Sequence, residues 1–142
     1  MKNIKIIIFM LTILLVSCDV QTNILVANNT NSTTVKISYN REFYSYVFEK
    51  QKNKDFLRPL QSSNRHLKLL KCDTLNKELS FTFKLLKNDT LYVDKSRGSN
   101  PNYSSIDSIT IIKEDAKKVT LQSNNYDDNF KNYDNIFIYN IK

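Results

Sequence analysis

The stretch that most constrains the fold is the segment 78–86. Apolar residues alternate with polar ones over it, with Leu79, Phe81, Phe83 and Leu85 on one side and Ser80, Thr82 and Lys84 on the other. Successive side chains of a β-strand point to opposite faces, so a period of two predicts a half-buried strand. A helix would scatter the same apolar residues over opposite sides of its cylinder.

Short segments with strand-like composition recur along the chain, separated by turn-forming residues. They are 24–27, 35–39, 43–49, 66–72, 90–94, 106–113, 117–122 and 136–141. We predict an all-β fold, an immunoglobulin-like or similar Greek-key sandwich of about 7–9 short antiparallel strands after an N-terminal signal helix. Apolar residues on both faces of 136–141 predict a central strand. The pattern leaves the order of the strands open.

Three polar segments are predicted to be loops, namely 50–64, 95–105 and 123–135. In the first of them, Phe56, Leu57 and Leu60 are expected to turn back onto the core. The same segment offers an alternative, because a helix across 50–60 would give an α+β fold.

The chain begins with a short basic segment followed by an apolar one. Lys2 and Lys5 precede the run 6–16, which is apolar except for Thr12. As a helix these 11 residues would be about 16 Å long, whereas a transmembrane helix needs ~20 apolar residues. The length suits the apolar part of a secretory signal peptide, which we predict over residues 1–17.

A processing motif follows the apolar run. Leu15-Val16-Ser17-Cys18 resembles the lipobox of bacterial lipoproteins, in which Leu, a small or β-branched residue and a small residue precede Cys. The resemblance implies cleavage between Ser17 and Cys18, a thioether from Cys18 to a diacylglycerol, and a further acyl chain such as palmitate on the new amino terminus. More than one chain is needed because a single myristoyl chain binds membranes only at roughly 10⁴ M⁻¹.

The resemblance also implies a domain organisation and a cellular location. The chain is expected to divide into a signal peptide (1–17), a tether (18–23) and a β-sandwich domain (24–142). The domain would lie outside the cytoplasm, held by lipid to the bacterial cell membrane or outer membrane. Asp19 resembles an inner-membrane retention signal of some bacteria, a rule that does not hold in others.

The cysteine count limits covalent cross-linking. If Cys18 carries lipid, Cys72 has no partner within the chain, and no structural disulfide is possible. Because Cys72 ends the apolar stretch 67–72, we predict a buried, inert thiol.

Catalytic candidates are few. His66 is the only histidine, and although Ser62 and Ser63 stand near it, no nucleophile-elbow glycine pattern accompanies them. We therefore assign no catalytic residue and predict that the protein is not an enzyme. The alternative is a small envelope hydrolase that uses His66 or loop carboxylates.

Metal candidates are weak. Asp127, Asp128 and Asp134 share one Asn-rich loop, and calcium prefers clustered oxygens, but their spacing is not that of an EF-hand. Zinc would need more ligands than Cys72 and His66 provide. We predict no cofactor.

The charge of the chain gives no sign of a nucleic-acid partner. The net charge is +7, from 21 Lys+Arg and 14 Asp+Glu, but no run of four basic residues occurs. We interpret the lysines as a scattered solvated surface.

Tyrosine is the residue type that most favours a binding role. Tyr44, Tyr46, Tyr103, Tyr126 and Tyr133 fall on polar or alternating backgrounds. Tyrosine can bind sugars or protein surfaces, although it is also an ordinary core and edge residue in β proteins.

These features together predict a membrane-anchored lipoprotein with a small non-catalytic β-domain, an envelope binding or interaction module. Its partner would be an envelope protein or glycan. An inhibitor or immunity-type lipoprotein is a further alternative.

Overall fold

The computed structural model describes residues 20–44, 57–73 and 79–142, with only the backbone of 57–59. Its strands are β1 Gln21–Asn28, β2 Thr33–Tyr39, β3 Lys68–Asp73, β4 Leu79–Leu85, β5 Thr90–Arg97, β6 Ile106–Lys113, β7 Lys118–Gln122, β8 Lys131–Tyr133 and β9 Ile136–Ile141. The predicted signal peptide (1–17) and Cys18 lie outside the described residues.

The strands form two sheets. One has four strands in the order β5-β1-β9-β8, and the other has five in the order β3-β4-β2-β6-β7. Both sheets contribute to one buried core, which includes Ile24 and Val26 of the first and Ile37 and Phe81 of the second. The prediction of an all-β sandwich is confirmed.

One strand pair departs from the antiparallel arrangement. β1 and β9 run parallel, with Asn23 opposite Ile136 and Asn28 opposite Ile141. These strands stand far apart in the chain, so no tight hairpin joins them and a parallel ladder is open to them. β9 lies between β1 and β8, as expected for a strand with apolar residues on both faces.

The clearest alternation in the sequence forms the middle of the core. Phe81 and Phe83 of β4 are buried, and Phe83 lies opposite Val35 of β2. Val35 in turn lies opposite Ile111 of β6, so the inward faces of three neighbouring strands form a continuous apolar layer.

The segment predicted to be a tether is partly a strand. β1 begins at Gln21, and Gln21–Asn23 pair with Arg97–Lys95 of β5. The polar Thr22 is buried, and its hydroxyl donates a hydrogen bond to the Gly98 carbonyl, which offsets the cost of burying it.

The predicted returning strand 43–49 begins differently. Residues 41–44 form a helical turn, and Asn40 Oδ1 accepts hydrogen bonds from the amides of Glu42 and Phe43. An Asn in this position satisfies amides that a helix leaves unpaired, which favours the helical turn. Residues 45–49 lie outside the described residues.

The predicted loops contain short elements. Helix α1 spans Leu57–Ser63 and buries Leu60, so part of the 50–64 segment is helical. β5 continues to Arg97 into the predicted loop 95–105. The segment 123–135 holds a 3-10 turn, Ser123–Asn125, the short helix α2, Tyr126–Asn129, and β8.

Cys72 is exposed, so the prediction of a buried thiol was wrong. Its strand, β3, is an edge of the five-stranded sheet, and Leu69 and Leu70 beside it are exposed too. Apolar side chains on an edge strand have a neighbouring strand on one side only, so they stay partly exposed to solvent. The composition of such a segment does not show that it lies at an edge.

Candidate functional site

The first described residue, Val20, is held where β1 begins. Its carbonyl accepts a hydrogen bond from the Gly98 amide at 2.8 Å, and Thr22 Oγ1 donates to the Gly98 carbonyl at 2.5 Å. Gly98 has a φ of +104°, a backbone conformation that favours glycine. We call the part of the sandwich around Val20, Gly98 and the turn at Asn135 the Val20 end. Its β5 side is held by the two hydrogen bonds to Gly98.

The β8–β9 turn fixes the other side. The Asn23 amide donates to the Asn135 carbonyl at 3.0 Å, and Asn132 Oδ1 accepts from the Asn135 amide at 3.1 Å. Asp134 and Asn135 both have positive φ, which Asn and Asp tolerate better than most residues. The chain that precedes Val20 therefore leaves from an ordered end of the sheet.

A half-buried carboxylate lies farther along β5. Ser105 Oγ donates a hydrogen bond to Asp94 Oδ2, the Lys95 amide donates to Asp94 Oδ1 at 2.7 Å, and the Tyr44 hydroxyl is also bonded to Asp94. Burial raises the pKa of Asp94, while these hydrogen bonds oppose the shift. The network joins β5 to the turn before β6 and to the helical turn 41–44.

The tyrosines around Asp94 are part of the same junction. Tyr39 Oη donates to the Val93 carbonyl at 2.6 Å, which links the two sheets directly. Burial and the nearby Asp94 raise the pKa of Tyr39 and bring that of Tyr92 to about 12. Both hydroxyls therefore stay protonated at neutral pH and act as hydrogen-bond donors.

His66 lies apart from this carboxylate. It is exposed, and its Nε2 lies 3.1 Å from the carbonyl oxygen of Thr90. Thr90 stands four residues before Asp94 on β5, about 13 Å away at ~3.3 Å per residue. The described residues thus bring no Ser-His-Asp arrangement together around Asp94 and Ser105.

The three metal candidates do not converge. Asp127 and Asp128 lie in the first turn of α2, whereas Asp134 lies in the β8–β9 turn, and all three are exposed. Within the described ranges, no group of three or more His, Cys, Asp or Glu residues could hold a metal ion.

Of the candidate binding tyrosines, most are packed inside. Tyr126 and Tyr44 are buried, and Tyr103 is half-buried with its ring 4.9 Å from that of Tyr126. Burial and Asp127 raise the pKa of Tyr103 to about 12. Tyr133 is 53% exposed, and Tyr46 lies outside the described residues. The loop tyrosines therefore do not form one exposed face.

Comparison with known proteins gives no relative. No family model, curated protein or solved structure matches the chain. Across the part of the chain that is described, no helix is both long and apolar enough to cross a membrane.

The Asp94 network was missed in the sequence. Asp94 follows Leu91 and Val93 at what looks like an ordinary outward position of a strand. The signal that would have revealed it is tertiary, because Ser105 and Tyr44 reach Asp94 from separate parts of the chain.

Proposed function

We propose that the chain is a bacterial lipoprotein, lipidated on Cys18, whose β-sandwich is a non-catalytic binding module of the cell envelope. The observation that carries the proposal is the lipobox-like Leu15-Val16-Ser17-Cys18 at the end of an apolar run too short to span a bilayer.

The start of β1 supports this arrangement. Only Asp19 and Val20 separate Cys18 from Gln21, where the strand begins. Three residue steps span at most about 11 Å. A lipid on Cys18 would therefore hold the sandwich close to the bilayer, with the Val20 end nearest to it.

The polar groups inside the domain support a binding role over a catalytic one. The buried Asn28 side chain donates to the carbonyls of Asn31 and Leu86, which closes the turn after β1. Asp94 likewise ties β5 to Ser105. These groups are engaged in holding turns and strands together, and the outward faces of the sheets are left for contacts with a partner.

The test compares the full chain with Cys18→Ala in a bacterial host. The wild-type product should begin at Cys18, carry a diacylglycerol by intact mass, and partition with membranes. Cys18→Ala should keep residues 1–17 and lack the lipid mass. Cys72→Ala is the matched control, because it removes the other cysteine and should be processed like wild type.

An unchanged mature size and unchanged membrane partitioning of Cys18→Ala would overturn the proposal. So would a wild-type amino terminus at any residue other than Cys18.

A further inference from the structure

The outward face of the five-stranded sheet gathers lysines that are scattered in the sequence. The register places residues of neighbouring strands opposite each other in rows. One row consists of Lys68, Lys84, Thr34, Ile112 and Lys118. The next row consists of Lys71, Thr82, Lys36, Thr110 and Thr120. We call the five lysines of these rows the lysine face.

Four of these lysines surround Thr82. Lys71 and Lys36 lie opposite Thr82 on its two sides, so at ~4.8 Å per strand their backbones stand about 10 Å apart. Lys84 is two residues along the same strand, and Lys68 lies directly opposite Lys84. The positive charge is thus concentrated on β3, β4 and β2.

Among the described residues, three lysines of this face have no ion-pair partner. Lys68, Lys71 and Lys84 are exposed, and none of the described residues forms an ion pair with them. The five strands contain two carboxylates, Asp73 and Asp107, at the ends of β3 and β6 remote from the Lys68–Lys84 row. Asp73 is two residues from Lys71 on the same face, so it borders the lysine face at one corner. Like charges directly opposite each other destabilise a sheet, so folding alone does not account for the arrangement.

We propose that the lysine face binds an anionic glycan, an extended sugar polymer that carries carboxylate, phosphate or sulfate groups. A field of one sign attracts a polymer of the opposite sign and orients it. Threonines of the same row supply hydroxyls for sugar hydroxyls. Thr82 lies between Lys71 and Lys36. Thr110 and Thr120 follow Lys36, with their Oγ1 atoms 3.3 Å apart. The proposal rests on the proposed function for the place of encounter, the cell envelope, and for the position of the lipid anchor.

The position of the anchor favours a glycan over the membrane itself. Val20 lies directly before β1, which belongs to the four-stranded sheet. The chain from Val20 back to Cys18 spans at most about 7 Å. The two sheets of a sandwich are ~10 Å apart, and the lysines point away from the sheet that contains β1. A lipid on Cys18 therefore keeps the lysine face from lying flat on the bilayer.

The composition of the face disfavours single-stranded nucleic acid. Such ligands are bound by stacking of bases on aromatic side chains. The two rows contain lysine, threonine and Ile112 and no aromatic residue. Hydroxyls and point charges suit a sugar polymer better than they suit bases.

The test uses the full chain purified in a nonionic detergent and measures its affinity for dextran sulfate, polygalacturonate and neutral dextran. Dextran and dextran sulfate share one backbone, so their difference isolates the charge. We expect binding to the two anionic polymers that weakens as salt is raised, and no binding to dextran.

Three variants locate the site. The first variant carries the triple substitution Lys68→Gln/Lys71→Gln/Lys84→Gln. It should bind about tenfold more weakly, because it loses three ion pairs of ordinary surface strength. The matched control Lys87→Gln/Lys95→Gln/Lys131→Gln removes the same charge from exposed positions outside the face and should leave affinity within about twofold. Lys68→Arg/Lys71→Arg/Lys84→Arg should retain binding, which shows that charge and not packing is responsible.

Equal weakening by the two Gln triples would overturn the proposal, since it would show attraction by net charge alone. So would failure to prefer either anionic polymer to dextran. Binding of the same variants to anionic phospholipid vesicles is measured in parallel. If the Lys68/Lys71/Lys84 Gln triple loses vesicle binding while its polymer binding is unchanged, the face belongs to the membrane instead. Lipidation of Cys18 is read by mass on the same sample, so failure of the anchor and failure of glycan binding are separate results.

Discussion

Asn64 pairs with Tyr92 as a neighbouring strand would. Asn64 Oδ1 accepts from the Tyr92 amide at 2.8 Å, and Asn64 Nδ2 donates to the Tyr92 carbonyl at 2.8 Å and to the Leu60 carbonyl at 2.9 Å. Tyr92 lies on β5, an edge of the four-stranded sheet. This buried side chain therefore satisfies the free edge of β5 at Tyr92 and joins the end of α1 to it.

Replacing Asn64 should destabilise the protein. Asn64→Ala removes both bonds to Tyr92 and leaves their partners unsatisfied, so the free energy of unfolding should fall by about 2–3 kcal/mol. Urea denaturation measures the change. Ser63→Ala, at an exposed neighbouring position, is the control and should stay within about 0.5 kcal/mol of wild type. Equal effects of the two substitutions would show that the edge does not depend on this amide.

Lys84→Glu should stabilise the fold. It turns the repulsive Lys68–Lys84 pair into an attractive one, worth about 0.5 kcal/mol at low ionic strength. Thermal unfolding should show the gain, and ~1 M salt should abolish it. Lys118→Glu is the control, because Lys118 lies opposite Ile112. A gain that persists at high salt would contradict an electrostatic origin.

Asp94 should make stability depend on pH. Burial raises its pKa above 3.8, so the folded state holds the proton more tightly than the unfolded state. The stability that the protonated carboxyl contributes is complete below pH 3.8 and is lost as pH rises through the folded pKa. Asp94→Asn cannot ionise, so its free energy of unfolding relative to wild type should rise from acid to neutral pH.

Urea denaturation over a pH series tests this expectation, with the exposed Asp107→Asn as control. Profiles of Asp94→Asn and wild type that run parallel would mean that Asp94 keeps an ordinary pKa in the folded protein.

Thiol titration should report on both cysteines. Cys72 is exposed, so the folded, lipidated chain should react with one equivalent of an aromatic disulfide reagent. Partial desolvation and then the charge of Asp73 raise the pKa of Cys72, so the reaction should be slow at neutral pH and accelerate as pH rises. Cys72→Ser should abolish the reaction. Two reactive thiols in wild type would mean that Cys18 carries no lipid.

Local periodicity was enough to predict most of the strands. β4, β6 and β9 lie where alternating or apolar segments indicated them, since a buried face leaves a direct trace in the sequence. β8 has three residues, all exposed, and leaves no such trace. The helical turn 41–44 depends on capping by Asn40, which outweighed the strand-like composition that follows.

The candidate surfaces could not be predicted because they depend on register. Lys36, Lys71 and Lys84 are far apart in the chain, and only the pairing of β3, β4 and β2 brings them around Thr82. A register shifted by one residue would send the same lysines to the core. The exposure of Cys72 likewise follows from β3 being an edge strand, which a single sequence does not reveal.

The internal position of β1 has a mechanical consequence. β1 is flanked by β5 on one side and β9 on the other. A force applied to the sandwich and resisted at Cys18 would load both ladders in shear along the strand, so that many hydrogen bonds would have to fail together. An anchor on an edge strand would instead let the bonds break one at a time. If Cys18 carries the proposed lipid, the domain is attached through an internal strand, which resists tension better than an edge strand.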